Sequence, residues 1–141
     1  MRRAPILLAL VALLLAACGE PLSREKFIRS NGSGEYFFPV QMSDSTASYD
    51  ISFYTKIDKV VMRPDTLASF PMQLVWRSPS RRYFSETVYY PAHSLRVCYR
   101  RDLVPSESGD WTLSVTISPE PAGLRGLGLV VEKKKHYGDA E

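Results

Sequence analysis

The feature that most constrains the fold of this chain is the alternation of apolar and polar residues in several short segments. The clearest segment spans residues 110–117 and reads DWTLSVTI. Its apolar side chains fall on one face of an extended strand and its polar side chains on the other, whereas a helix would scatter them around its circumference. The pattern therefore predicts a half-buried antiparallel strand.

Further segments have the composition or the alternation of strands, and turn residues separate them. They span residues 36–41, 49–54, 72–77, 83–90, 95–101 and 124–132. No stretch after residue 18 sustains a helical period over about ten residues. We therefore predict an all-β chain, a single antiparallel β-sandwich of seven to eight strands with a jelly-roll-like topology. An eighth strand would lie at residues 60–62, inside the irregular segment 58–71.

The N-terminal residues have the pattern of a secretion signal. Arg2 and Arg3 supply positive charge, and an unbroken apolar run follows at residues 6–17. That run has the length of a signal-peptide core and is shorter than the roughly 20 residues of a spanning helix. It ends in LAAC at residues 15–18, which resembles the lipobox of bacterial lipoproteins and predicts a diacylglycerol thioether on Cys18. The alternative is an ordinary secretory signal in which Cys18 lies near the cut by chance.

Lipid on Cys18 would make this chain a membrane-anchored protein, because two or three acyl chains together hold a protein durably on a bilayer. Residues 1–17 are then a cleaved signal peptide. By resemblance to bacterial lipoproteins, Gly19 in place of an aspartate favours delivery to the outer membrane. Surface-exposed lipoproteins of some gut and marine bacteria carry an acidic cluster just after the cysteine. Only Glu20 is available here, so a periplasm-facing position is expected.

The mature chain divides into three parts by composition. Residues 18–34 are polar and turn-rich and are predicted to be a lipidated tether, in which Phe27 and Ile28 are candidates for docking onto the domain. Residues 35–132 are predicted to form the sandwich domain. Residues 133–141 are predicted to be a polar C-terminal tail.

Charge and metal-ligand composition exclude several classes of function. The 18 basic and 15 acidic residues give +3, and removal of Arg2 and Arg3 leaves 16 against 15, too small an excess for a nucleic-acid binder. Two cysteines and two histidines exclude a multi-cysteine zinc site or a disulfide framework. His93 and His136 have no ligand at suitable spacing and are expected at the surface, so we expect no metal and no cofactor.

Catalytic motifs are missing from the sequence. There is no Gly-x-Ser-x-Gly elbow, and Gly126 and Gly128 lie in a predicted strand without a following helix, where they indicate a bulge or a close backbone approach rather than a phosphate loop. A glycosidase needs two carboxylates in one cleft, and no such pair is recognisable from the sequence. We therefore expect no enzymatic activity.

Cys98 is the second cysteine of the chain, and it has no partner if Cys18 carries lipid. It alternates with Arg96 and Arg100, on the face opposite to Val97 and its apolar neighbours. A partly covered structural thiol is the preferred interpretation, because an exposed free thiol is a liability in an oxidising compartment. A redox role or pairing between molecules is the alternative.

Adjacent aromatic residues point to an interaction surface. They occur at residues 37–38, 83–84 and 89–90. Neighbours in a strand point to opposite faces, so at least one of each pair should leave the core. Exposed tyrosine beside arginine suits a protein interface, and exposed aromatic faces also stack on sugars. The candidate interaction patch consists of Arg82, Phe84, Glu86 and Tyr90. The alternative is that both faces of the sandwich are partly covered, or that its rims simply tolerate aromatic residues.

The strands also carry a family resemblance. The motifs are YDISF at 49–53, WRSP at 76–79, FSETV at 84–88, GDWTL at 109–113 and LRGLGL at 124–129. With them, residues 48–132 resemble the GldH-type gliding-motility lipoproteins of the Bacteroidetes. The resemblance implies an envelope lipoprotein linked to gliding and its secretion-associated machinery, without known enzymatic activity. It transfers no site residue beyond Cys18, and the segment 58–71 has no counterpart in the family pattern.

Two functions are therefore considered. The first is a non-enzymatic interaction or assembly component that docks other envelope proteins through a strand edge or an aromatic–arginine patch. The alternative is a carbohydrate-binding lipoprotein of jelly-roll type. A glycan binder should present two or three coplanar exposed aromatic rings on one sheet face or loop end, whereas an interaction protein should present a flatter patch or an open, unprotected edge strand. A hydrolase would show clustered carboxylates with shifted pKa values.

Overall fold

Alternating strands build the whole of the described fold. The computed structural model describes residues 21–58, 69–91 and 94–134, and these residues contain no helix. The strands are β1 (Ser23–Arg29), β2 (Glu35–Met42), β3 (Ser48–Ile57), β4 (Phe70–Arg77), β5 (Tyr83–Tyr90), β6 (Arg96–Leu103), β7 (Gly109–Thr116) and β8 (Leu124–Lys134). The all-β prediction is confirmed, and each segment predicted as a strand outside residues 58–71 is one.

The strands form two four-stranded sheets in which every pairing is antiparallel. One sheet has the order β1-β8-β3-β6 and the other has the order β2-β7-β4-β5. Apart from the β4–β5 hairpin, each strand is followed in sequence by a strand of the opposite sheet. This is the strand order of an eight-stranded jelly roll, so the predicted topology is confirmed.

The core lies between the inner faces of the two sheets. In β7 the burial alternates residue by residue, with Trp111, Leu113 and Val115 buried and the intervening side chains partly exposed. Strand β2 alternates in the same way, which buries Phe38 and leaves Phe37 on the outer face. The period of two in the sequence therefore corresponds directly to the inner and outer faces of the sandwich.

Two glycines of β8 allow aromatic rings to cross the outer face of the first sheet. A Cβ at Gly128 would lie 2.1 Å from the ring of Tyr54, and one at Gly126 would lie 2.4 Å from the ring of Phe27. The two rings stack with centroids 5.8 Å apart. The β3–β8 register also shifts beside Gly126, between Lys56 and Ile57. The predicted bulge or close approach in this strand is confirmed in both respects.

The structure corrects the predicted tether at residues 18–34. Residues 23–29 are strand β1, which pairs along its whole length with β8, from Ser23 opposite Glu132 to Arg29 opposite Gly126. Phe27 and Ile28 dock as anticipated, since Phe27 stacks on Tyr54 and Ile28 packs against the core. The eighth strand of the sandwich is thus β1, and the expected strand at residues 60–62 lies outside the described residues.

The sandwich domain also extends beyond the predicted boundary with the C-terminal tail, which was placed after residue 132. Lys133 and Lys134 belong to β8, and they lie opposite Tyr49 and Ser48 of β3. The predicted tail beyond residue 134 lies outside the described residues. The sandwich therefore extends further at both ends of the chain than the composition indicated.

Candidate functional site: a cleft between strands β5 and β6

A cleft opens on one flank of the sandwich, where the edge strands β5 and β6 of the two sheets face each other. Its volume is about 380 Å³, which falls within the range of ligand-binding pockets. Residues 84–86 of β5 and residues 99, 100 and 103 of β6 form its walls, and the loop at residues 104–106 closes one end. Its lining residues are Met42, Trp76, Phe84, Ser85, Glu86, Tyr99, Arg100, Leu103, Val104, Pro105, Ser106 and Trp111.

Aromatic rings supply much of the cleft wall. The β4–β5 hairpin places Trp76 directly opposite Phe84, and Phe84 stacks on Trp111 with centroids 6.4 Å apart. Trp76 meets the edge of Trp111 at 6.3 Å and stacks on Tyr99 at 6.4 Å. Both tryptophans are buried, whereas Phe84 is 51% exposed at the mouth. The cleft therefore has a floor of stacked, mostly buried aromatic rings and one accessible ring at its mouth.

A chain of hydrogen bonds crosses the cleft from one sheet to the other. The Trp76 Nε1–H donates to the Tyr99 hydroxyl over 3.1 Å, and that hydroxyl donates to Glu86 Oε1. Arg100 Nη2 donates to both carboxylate oxygens of Glu86, at 2.9 and 3.0 Å. The polar groups of the cleft thus satisfy one another, and the surface left for a ligand is mostly apolar.

The same contacts fix the charge of Glu86. The hydrogen bond from Tyr99 and the Arg100 guanidinium hold the pKa of Glu86 below its ordinary value, against the opposing effect of desolvation. Burial, followed by the neighbouring Glu86 carboxylate, raises the pKa of Tyr99. At neutral pH the pair is therefore a carboxylate and a neutral phenol, with the guanidinium as counter-ion.

Replacing Glu86 with glutamine should lower the stability only at neutral pH. The pair is partly exposed, so we expect a loss below about 1 kcal/mol. Because the folded pKa of Glu86 is lowered, its contribution is present above its ordinary value of 4.5 and disappears as the pH falls through the lower folded value. Urea unfolding of both proteins at pH 7 and pH 3 measures this. If Glu86→Gln lowered the free energy of unfolding by the same amount at pH 7 and pH 3, the assignment of Glu86 as an ionised partner of Tyr99 and Arg100 would be contradicted.

The candidate patch from the sequence is only partly assembled. Phe84 and Glu86 both line the cleft, as the period of two required. Arg82 is exposed in the β4–β5 loop beside them, where its backbone N–H donates to Ser78 Oγ over 3.0 Å. These three residues therefore lie together at one end of β5.

Tyr90 does not belong to this patch, and its predicted place there is wrong. Its side chain is 1% exposed and stacks on Phe70 with centroids 5.2 Å apart. Its hydroxyl donates to the carbonyl oxygens of Ser94 and Leu95, at 2.8 and 3.1 Å. The physical reason is that Phe84 and Tyr90 both lie on the inner face of β5. This face borders the open cleft near Phe84, whereas the opposite sheet covers it near Tyr90.

Among the side chains that form the aromatic floor and the hydrogen-bond chain of the cleft, four were not predicted as site residues from the sequence: Trp76, Tyr99, Arg100 and Trp111. Their contribution depends on how the two sheets face each other, which the alternation within one strand does not specify. One signal was present for Trp76. The turn at residues 78–80 sets the register of the β4–β5 hairpin, and that register places Trp76 opposite Phe84.

The four edge strands differ in how they are protected against pairing with another chain. Natural sheets protect their edges with charges and proline. Strand β1 carries Arg24, Lys26 and Arg29, β6 carries three arginines, and β2 contains Pro39. Among these four described edges, β5 alone has neither a cationic residue nor a proline, and its single charge, Glu86, turns into the cleft.

The thiol of Cys98 is exposed, which corrects the expectation of a partly covered thiol. Strand β6 is an edge strand, and Cys98 lies on its outer side opposite Ser52, where no further strand covers it. Cys18, His93 and His136 lie outside the described residues. Within the described part of the chain, no three His, Cys, Asp or Glu side chains come close enough to hold a metal ion.

Glu86 is the one carboxylate that lines the cleft within the described residues. A glycosidase requires two carboxyl groups, one of them an acid with a raised pKa, whereas the pKa of Glu86 is lowered. The aromatic rings of the cleft stack on one another, so they do not form the row of coplanar exposed rings expected of a glycan binder. Beside the cleft, β5 is an edge strand whose outer side pairs with no other strand among the described residues.

No protein-family model matches the chain, and a search of curated proteins finds no significant match. The resemblance to gliding-motility lipoproteins therefore stays a prediction. Among the described residues, no helix has the length and apolarity needed to cross a membrane.

Proposed function

We propose that this protein is a lipid-anchored interaction component of a bacterial envelope. Cys18 carries the lipid, the protein sits on the periplasmic side of the outer membrane, and it docks another envelope protein without catalysing a reaction. The partner contributes an extended segment that pairs with the free edge of β5 and places side chains in the cleft beside it. The resemblance to gliding-motility lipoproteins favours a partner from the associated secretion machinery.

The observation that carries this proposal is the unprotected edge of β5. An edge strand presents free backbone N–H and C=O groups, and an extended peptide that pairs with them gains main-chain hydrogen bonds. The composition of β5, YFSETVYY, is rich in the aromatic and β-branched residues that favour strand pairing. The other described edges carry the charges or the proline that oppose such pairing.

The cleft supplies the specificity of this docking. In strand addition, alternate side chains of the added strand point toward the same face as the inner residues of the sheet. A strand beside β5 would therefore direct every second side chain toward Phe84 and the aromatic floor. Because Tyr99 and Arg100 already satisfy Glu86, the site favours apolar side chains at these positions.

A glycan ligand is the second candidate, and one observation favours it. Phe84 offers an accessible ring next to the Glu86–Arg100 pair, and sugars bind through stacking on such a ring combined with hydrogen bonds to charged groups. A single accessible ring is a smaller platform than strand pairing along eight residues provides.

Site-specific photocrosslinking in the native membrane tests the strand-addition proposal. A photoreactive amino acid at Thr87 of β5 should form a crosslink to one envelope protein, because an added strand would lie about 4.8 Å away. The same group at Lys26 of β1, an edge rich in charge, should give no such product. Phe84→Ala should reduce the Thr87 crosslink several-fold if the partner anchors in the cleft.

Two results would overturn strand addition. Equal crosslinking from Thr87 and Lys26 would show that the β5 edge is not the contact. Retention of the protein on a glycan array, abolished by Phe84→Ala and without any crosslinked protein, would favour the glycan alternative instead. Mass spectrometry of the mature protein tests the anchor separately, since a diacylglycerol thioether on residue 18 adds a defined mass.

A further inference from the structure

We propose that one end of the sandwich rests directly on the lipid surface, and that this end holds the loops at residues 43–47, 78–82 and 104–108. We call it the anchor-side end. The inference rests on the proposed lipid at Cys18 and adds an orientation and a second membrane contact, made by the folded body itself. Its ligand is a phospholipid surface that carries anionic headgroups.

Strand pairing places these three loops at the end where the described chain begins, since Met42 lies opposite Gly109, Tyr49 opposite Leu103 and Arg77 opposite Thr112. The Lys133 N–H donates to the Leu22 carbonyl over 2.7 Å, so β8 ends where β1 begins. The Lys133 ammonium lies 3.3 Å from Asp44 in the 43–47 loop. In the second sheet, the Ser80 N–H donates to Glu107 Oε1 over 3.1 Å, which joins the other two loops.

The length of chain before β1 restricts how far this end can lie from the membrane. Leu22 follows Cys18 by four residues, and four residues span at most about 14 Å even when fully extended. An eight-residue strand is about 26 Å long, so the opposite end of the sandwich lies well beyond this reach. Because residues 23–29 are a strand and not a tether, the body has no slack to lift away from its anchor.

The anchor-side end exposes apolar side chains that suit a membrane interface. Leu22, Tyr83 and Val104 are each more than half exposed. Tyrosine is favoured at such interfaces because its ring is apolar and its hydroxyl is polar. These three side chains lie within the part of the body that the short connection holds near the lipid.

The same end carries arginines whose charges are available for anionic headgroups. Arg81 and Arg82 are adjacent and exposed in the β4–β5 loop. Neither side chain makes an ion pair within 4 Å in the described part of the chain. Hydrogen bonds from Ser80 and Ser78 lower the pKa of Glu107 in the neighbouring loop, and the Arg82 charge adds to this effect from a longer distance. Cationic residues close to an anionic bilayer are attracted to it, and the attraction decays within a Debye length, so it acts only on this end.

The test uses the complete lipoprotein reconstituted in vesicles of phosphatidylethanolamine and phosphatidylglycerol. In a Cys98→Ser background, an environment-sensitive fluorophore is placed on Ser106→Cys at the anchor-side end or on Glu35→Cys at the opposite end. Both positions are exposed. Nitroxide-labelled lipids should quench the label at residue 106 at least threefold more strongly than the label at residue 35.

A charge-reversal comparison tests the role of the arginines. Arg81→Glu with Arg82→Glu should reduce the quenching at residue 106 in anionic vesicles, and replacing phosphatidylglycerol with phosphatidylcholine should have the same effect. The matched control, Lys26→Glu with Arg29→Glu on β1, changes the net charge equally and should leave the quenching unchanged. Equal effects of the two double variants would overturn the headgroup contact.

The outcomes separate this inference from the proposed anchor. If the mature protein carries the lipid and both labels are quenched equally, or residue 35 more strongly, the orientation is wrong while the anchor stands. If mass spectrometry finds residue 18 without lipid, the anchor fails and the orientation fails with it. Neither result bears on strand addition at β5, which the crosslinking experiment tests independently.

Discussion

Gly34→Ala is expected to destabilise the protein by about 3 kcal/mol or more, because two penalties coincide at this position. Gly34 has φ = +75°, a conformation that side chains disfavour. A Cβ there would also lie 2.1 Å from the Ile117 carbonyl oxygen, which is backbone and has no alternative rotamer. The Ile117 N–H donates to the Gly34 carbonyl over 2.8 Å, so moving these two backbone segments apart also weakens this hydrogen bond.

Gly32→Ala is the matched control for this prediction. Gly32 has φ = +85°, but nothing lies within 4 Å of the position where its Cβ would stand. We expect a loss of roughly 1 kcal/mol, the cost of the left-handed conformation alone. Urea unfolding followed by the fluorescence of the buried tryptophans gives both values. Equal losses in the two variants would show that the contact with Ile117 does not restrict Gly34.

Phe38→Ala is expected to cost about 3–5 kcal/mol, the range for removing a buried aromatic side chain. Phe38 is 0% exposed and lies opposite Leu113 in the β2–β7 pair, so its loss leaves a cavity between the sheets. The thermal midpoint should fall sharply, and the urea midpoint should fall with it. If Phe38→Ala lowered the stability no more than a substitution at an exposed position does, the assignment of Phe38 to the inner face of the sandwich would be contradicted.

The neighbouring residue provides the control for Phe38. Phe37 is 56% exposed and points to the outer face, opposite Ser114. Phe37→Ala removes the same atoms one position away and should cost less than about 1 kcal/mol. The comparison tests the period of two directly, because a shift of the register by one residue would exchange the two results.

The strands were predictable because each depends on its own sequence. In residues 110–117, the buried and the exposed positions follow the apolar and polar letters one by one. Residues 49–54 and 72–77 alternate in a similar way, and the other four predicted segments have the composition of strands. Their separation by turns made a sandwich the natural expectation, and the jelly-roll order of the sheets agrees with it.

Strand β1 was missed because its stability comes from its partner. Its sequence, SREKFIR, contains only two apolar residues and reads as a polar linker. Its position is fixed by main-chain hydrogen bonds to β8, and such bonds leave no trace in composition. The same holds for Lys133 and Lys134, which look like a polar tail but pair with β3.

The candidate site was only half predictable for a related reason. The period of two correctly assigned Phe84 and Glu86 to one side of β5, together with Tyr90. It did not specify how far the opposite sheet covers that side, which decides that Phe84 is accessible and Tyr90 is buried. The contributions of Tyr99 and Arg100 depend on the facing of β5 and β6, a property of the assembled sandwich.

The pairing of β1 with β8 has a consequence for biosynthesis. Ser23 and Glu132 are direct neighbours in the sheet and 109 positions apart in the chain (132 minus 23). Because β8 lies between β1 and β3, neither strand gains this neighbour until residues 124–134 have been synthesised. A chain that stops before residue 124 lacks the middle of the first sheet, so completing that sheet closes a loop nearly as long as the domain itself.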